Sequence, residues 1–146
     1  MISISEKASI LHRAARTQTP VEQFSLSENY SLESAYQVQH ELIRLRQEEG
    51  FPIVGIKMGF TSHAKMKQMG VNDMIIGQLT SDMQLSKTLP LVKADCCHPR
   101  AEPEIAFRLS TDIYKPLTAH EVINHVDGVA AAIEIIDSRY ENFKFS

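Results

Sequence analysis

The chain has 146 residues, the length of one domain and too short for two comfortable ones, so residues 1–146 are read as a single domain. Its 43% hydrophobic and 23% charged residues exclude a disordered or fibrous chain, and a domain of this size buries roughly 70% of the surface its unfolded form exposes. A net charge of -3 lacks the basic footprint that nucleic acid or an anionic membrane surface demands.

Ile4, Ala8, Leu11 and Ala15 fall on one stripe, which predicts a helix over residues 3–17. Nothing in Met1 to Ala15 resembles a secretory signal, and a cytoplasmic protein is expected. The Asn29-Tyr30-Ser31 glycosylation match is then a coincidence. Thr17 to Asn29 is polar, holds Pro20 and reads as a loop. Ser31 can cap a second helix whose apolar face is Leu32, Ala35, Tyr36, Leu42, Ile43 and Leu45, ended by Gly50.

Beyond Gly50 the pattern changes. Phe51 to Phe60 is apolar and partly β-branched, which predicts a buried strand. Thr61 or Ser62 caps a short helix from His63 to Met69, stopped by Gly70. Ile75–Leu79 and Leu85–Val92 are predicted as short strands, the second confined to an edge by Pro90. Arg100–Leu109 alternates like a strand. Thr118 and Glu121 fit a capping box for a helix through His125. Val129–Ile136 reads as another buried strand. The surrounding stretch, Val126 to Ile136, is too short to span a bilayer and carries Asp127 and Glu134. Helices gather early and strands later, so the fold class is α+β.

Several side chains in these elements can carry chemistry. Glu102 and Glu104 are two apart on a strand and so face the same side, either as a ligand pair or as a solvated strand face. Glu134 interrupts an apolar run, where an ionised carboxylate needs a cation, a hydrogen-bond partner or a structural Lys or Arg. Two carboxylates from one strand and a third from another suit a hard divalent cation, Mg²⁺ or Mn²⁺, with positions left open for substrate. Adjacent Cys96 and Cys97, followed by His98, lack zinc-site spacing and read as an unbridged loop. Lys57 stands in the run Ile53-Val54-Gly55-Ile56-Lys57-Met58, as a functional ammonium or as a lysine whose stem lies on the sheet. Arg139 can grip a substrate carboxylate through its planar fork, or pair with Asp137 in a turn.

These blocks together resemble the 2-oxopentenoate hydratase and 4-oxalocrotonate decarboxylase family. Gly55-Ile56-Lys57-Met58-Gly59-Phe60-Thr61-Ser62 is similar to its glycine–lysine–glycine–threonine–serine block, and Glu102-Pro103-Glu104 to its paired-glutamate strand. Glu134-Ile135-Ile136-Asp137-Ser138-Arg139 is similar to its third-ligand segment, and Ala35-Tyr36-Gln37-Val38-Gln39 to its N-terminal helix.

The resemblance implies the N-terminal portion of a fumarylacetoacetase-like mixed β-roll. It also implies a Mg²⁺ or Mn²⁺ site at Glu102, Glu104 and Glu134, and a catalytic Lys57. The implied substrate is a small 2-oxo dicarboxylic acid. Many hydratases of the family carry an acid where Met74-Ile75-Ile76-Gly77 places Ile75, and isoleucine cannot activate water. Decarboxylation of 4-oxalocrotonate (2-oxohex-3-enedioate) is therefore the expected reaction. Hydration of a 2-oxopentenoate is the alternative, as is an inactive fragment or partner subunit. A homo-oligomer or a complex with a related hydratase is expected, without nucleic acid or membrane.

Overall fold

The computed structural model describes residues 2–24, 31–86 and 88–144. Asn29 and Tyr30 of the glycosylation match, the end of the 17–29 loop and Phe145 lie outside them. The chain is α+β and divides into two compact units, Met1–Cys97 with Ser138–Ser146, and His98–Asp137.

The first unit opens with helix α1 (Ile4–Thr17). Its N-cap is a full capping box: Ser3 accepts from the Glu6 N–H while the Glu6 carboxylate accepts from the Ser3 N–H. Helix α2 (Leu32–Glu48) is capped by the Ser31 side chain, as predicted, and Gly50 follows it with a φ of 94°. The two helices bury Ala8, Val38, Leu42 and Ile43 against each other, with Ile4, Leu11 and Leu45 around them. Ala8 is fully buried, so the α1 backbone can approach α2 closely.

Strand β1 (Ile53–Gly59) leads to α3 (His63–Met69), capped by Ser62 and closed by left-handed Gly70. Strand β2 (Ile75–Thr80) returns antiparallel to β1. Helix α2 covers the outer edge of β2 at one residue. The Ile76 N–H donates to the Tyr36 hydroxyl (3.2 Å), and Gln39 Nε2 donates to the Ile76 carbonyl (3.1 Å). Thr80, fully buried, donates to Asp82, which also pairs with Arg46 of α2 at 2.5 Å.

Two sequence expectations fail here. The described residues of Leu85–Val92 form no strand: the Ser86 hydroxyl accepts from the Thr88 and Leu89 N–H groups that a ladder would use, and Pro90 has none to offer. The β1 segment is a strand but not a buried one, with Val54 at 61% and Ile56 at 63% exposure. A two-stranded ribbon covers only what a neighbouring element packs against.

The second unit is a ribbon of β3 (Pro99–Leu109) and β4 (Val126–Asp137), paired antiparallel. Between them, Thr118 and Glu121 form the expected capping box of α4 (Ala119–Val122), which tightens into a 3₁₀ turn through His125. The Asp137 carboxylate accepts from the His98 N–H at 2.5 Å, tying the start of the ribbon to its end. β4 is also more exposed than its composition predicts, with Ile133 at 72%. Among the described residues both sheets are two-stranded and antiparallel. No helix among the described residues is long and apolar enough to cross a membrane.

Candidate metal and acid–base site

The β3–β4 register sorts the ribbon into two faces. Pro103, Ile105, Phe107, Val129 and Ile133 share one, which is apolar. The other carries Arg100, Glu102, Glu104 and Arg108 from β3, opposite Ile136, Glu134, Ala132 and Gly128 from β4. Glu102 sits directly across from Glu134, and Glu104 is diagonal to Glu134. Oxygen atoms of the three carboxylates lie within 4.8 Å of one another. The two-residue spacing on β3 foretold the first pair. The direct opposition of Glu102 and Glu134 depends on register, which the sequence does not display.

Glu134 and Glu102 are half-buried, and Glu104 is exposed. Glu134 interrupts an apolar strand, as expected, but it is only half-buried. Its own face of β4 carries Gly128, Ala130 and Ala132, small residues that leave the carboxylates room. Arg108, at the far end of this face, donates to Asp127 at 2.7 Å, and this hydrogen bond raises the guanidinium pKa further.

Like charges directly opposite each other on a ribbon repel, and a third acid on the diagonal adds to the repulsion. A cation among the oxygens reverses that sign. Three oxygen donors suit a hard divalent ion and leave coordination positions for a ligand.

Lys57 belongs to the first unit, on β1, directly opposite Gly77 of β2. The same face carries the pairs Gly55–Leu79 and Gly59–Ile75, so each of three consecutive pairs sets one glycine against one bulky side chain. A β-carbon placed on Gly77 would lie 2.8 Å from Lys57 Cγ, and one on Gly59 would lie 2.8 Å from Ile75 Cγ1. The lysine stem therefore lies on the sheet, half-buried, as one sequence reading anticipated. The signal for Gly77 in the sequence is its place inside a strand, where a glycine marks close approach.

Arg139 is half-buried in the closing segment of the first unit. There its carbonyl accepts from the Val21 N–H at 2.9 Å, and Tyr140 meets Phe24 edge to face at 5.9 Å. Among the described residues Cys96 and Cys97 are not joined in a disulfide, in keeping with the loop reading, and Cys97 Sγ donates to the Ala14 carbonyl at 3.5 Å.

No family model matches the chain. A 4-oxalocrotonate decarboxylase from Pseudomonas sp is 43% identical over 99% of this chain and 57% of its own length. A 2-hydroxyhexa-2,4-dienoate hydratase from Comamonas testosteroni is 34% identical over 90% of this chain and 50% of its own. Among solved structures, the 4-oxalocrotonate decarboxylase of Pseudomonas putida G7, complexed with magnesium and adipate, superposes with a TM-score of 0.91 at 32% identity, over 99% of this chain and 57% of that one. The chain belongs to the 4-oxalocrotonate decarboxylase and 2-oxopentenoate hydratase family. It spans about half the length of the curated relatives it matches.

A second structure of the Pseudomonas putida G7 decarboxylase holds calcium and acetate. Divalent cations thus accompany both of these structural relatives in the hydratase–decarboxylase family. Ile75 shares the Lys57 face of the β1–β2 ribbon, opposite Gly59.

Proposed function

We propose that the chain supplies the metal-binding and acid–base residues of an enzyme that decarboxylates 4-oxalocrotonate to 2-oxopent-4-enoate or its enol. The observation that carries this reading is the carboxylate cluster of Glu102, Glu104 and Glu134, in a chain 43% identical to a 4-oxalocrotonate decarboxylase. These three side chains would hold Mg²⁺ or Mn²⁺. When bound, such an ion supplies Lewis-acid stabilisation of negative charge on the oxygens of a 2-oxo acid.

In the reaction the bond between C5 and the remote carboxylate breaks, CO₂ departs, and the electron pair passes along the conjugated chain to the 2-oxo oxygen. One proton must then be delivered. Lys57 is the donor in this reading, its ammonium stabilising the developing charge before giving up the proton. Arg139 is assigned as a fork for a substrate carboxylate. Ile75 on the Lys57 face offers no group to orient water, which favours decarboxylation over hydration. The family fold is proposed to be the fumarylacetoacetase-like β-roll, with this chain forming part of it. The proposed assembly is a homo-oligomer or a complex with a related hydratase.

The deciding experiment is CO₂ release from 4-oxalocrotonate by the purified chain, with Mg²⁺, with Mn²⁺ and with a chelator. Metal-dependent release is expected. A folded chain that binds Mg²⁺ but releases no CO₂ would overturn the decarboxylase reading for this chain. Water addition to 2-hydroxypentadienoate would then identify a hydratase, and inactivity on both substrates a partner subunit.

A further inference from the structure

We propose that Gly77 is a positioning residue for Lys57: the missing β-carbon at Gly77 opens a slot across β2 in which the lysine stem is laid and held. The catalytic half of this proposal rests on the role given to Lys57 above.

The backbone does not explain the glycine. Among the described glycines only Gly50 and Gly70 have positive φ, so Gly77 occupies a conformation open to any residue. Glycine inside a strand weakens it, because it loses more freedom on folding and packs no side chain. Space is what remains. A β-carbon at Gly77 would meet Lys57 Cγ at 2.8 Å, Cδ at 3.1 Å and Cε at 3.5 Å. Three successive carbons crowd one point, so the stem runs along the glycine instead of touching it with a mobile tip. Cγ is one bond beyond the lysine's own β-carbon, and moving it away demands a different rotamer at the root of the side chain.

The neighbouring pairs supply the walls. Ile75 and Leu79 flank Gly77 on the same face of β2, each opposite a glycine of β1. Lys57 is thereby the one bulky side chain that β1 sends to this face over the three pairs, set between two apolar neighbours. Lysine carries high rotamer entropy, and a walled slot restricts it before any substrate arrives. Gly55 provides an internal control. A β-carbon there would meet Leu79 Cδ1 at 3.9 Å, an ordinary contact.

The test is a double-mutant cycle on the purified chain, with Gly77→Ala and Lys57→Ala made singly and together and Gly55→Ala as control. Gly77→Ala should lower the thermal midpoint when Lys57 is present and leave it unchanged or raised in the Lys57→Ala background. Gly55→Ala should not lower it. In turnover, Gly77→Ala should reduce kcat roughly 10- to 100-fold with KM nearly unchanged, the signature of a displaced group. Equal loss of stability in both backgrounds would overturn the slot, since the alanine would then be disturbing the strand. No loss of stability or turnover in either background would overturn it as well. Full turnover in Lys57→Ala would overturn the lysine's part in the reaction, and with it the catalytic half of the proposal, while the stability cycle still decides whether Gly77 makes the slot.

Discussion

Glu102 and Glu134 face each other across a ladder where an apolar or opposite-charge pair would be more favourable, so their substitution should have two signs. Without metal, Glu102→Gln removes a like-charge repulsion and should stabilise the chain by about 0.2–1 kcal/mol, measured by denaturant titration in chelator. With metal, the same change removes one of three donors and should weaken Mg²⁺ binding at least about tenfold, about 1.4 kcal/mol, measured by calorimetry. A variant less stable in chelator would overturn the repulsion, and undiminished Mg²⁺ affinity would take Glu102 out of the ligand set. Much of this cluster could be read in advance. Glu102 and Glu104 are two apart on an alternating segment, and Glu134 interrupts an apolar one. The small residues beneath the carboxylates and the opposition of Gly77 to Lys57 could not, because both follow from which residue of one strand meets which of the next.

At the scale of elements, caps and turns were the readable part. Ser31, Ser62 and Thr118 each accept the N–H three residues on, and Gly70 ends α3 in the left-handed region, because these signals are local and carried by one or two side chains. β1 and β4 are more exposed than their apolar sequences predict, since an apolar run tells that a strand exists but not how many neighbours cover it. The caps also set a pH dependence. Hydrogen bonds from the backbone N–H and hydroxyl of Ser3 hold the Glu6 carboxyl below the ordinary glutamate value, and Thr118 does the same for Glu121. A carboxyl whose pKa is depressed by folding contributes stability above the unfolded value and loses it as pH falls through the folded one. Stability should therefore decline as the pH drops below the ordinary glutamate range. Glu6→Gln should flatten that decline in thermal melts. An unchanged acid limb would show that the α1 capping box contributes nothing to it.

For the molecule as a whole, an ion that binds the folded chain but not the unfolded one raises the melting temperature with its concentration. At 100 times its dissociation constant Mg²⁺ should add about 2.7 kcal/mol, and excess chelator should remove it. A midpoint indifferent to both would argue against a metal centre in the cluster. Apolar side chains left exposed on the β3–β4 ribbon, Ile105, Phe107, Val129 and Ile133 among them, were not foreseen from composition, which counts hydrophobic residues without saying what covers them. Glycine-rich strands are prone to slip in register, and β1 and β2 carry Gly55, Gly59 and Gly77. Their alternation with bulk works against that hazard as the chain folds. Sliding β2 by two residues, the smallest move that keeps each side chain on its face, would set Lys57 against Ile75 or Leu79 and leave glycine facing glycine. One mating of the strands fills the surface and its neighbours both clash and leave holes, so the ribbon reads its own alignment by size, as a key reads a lock.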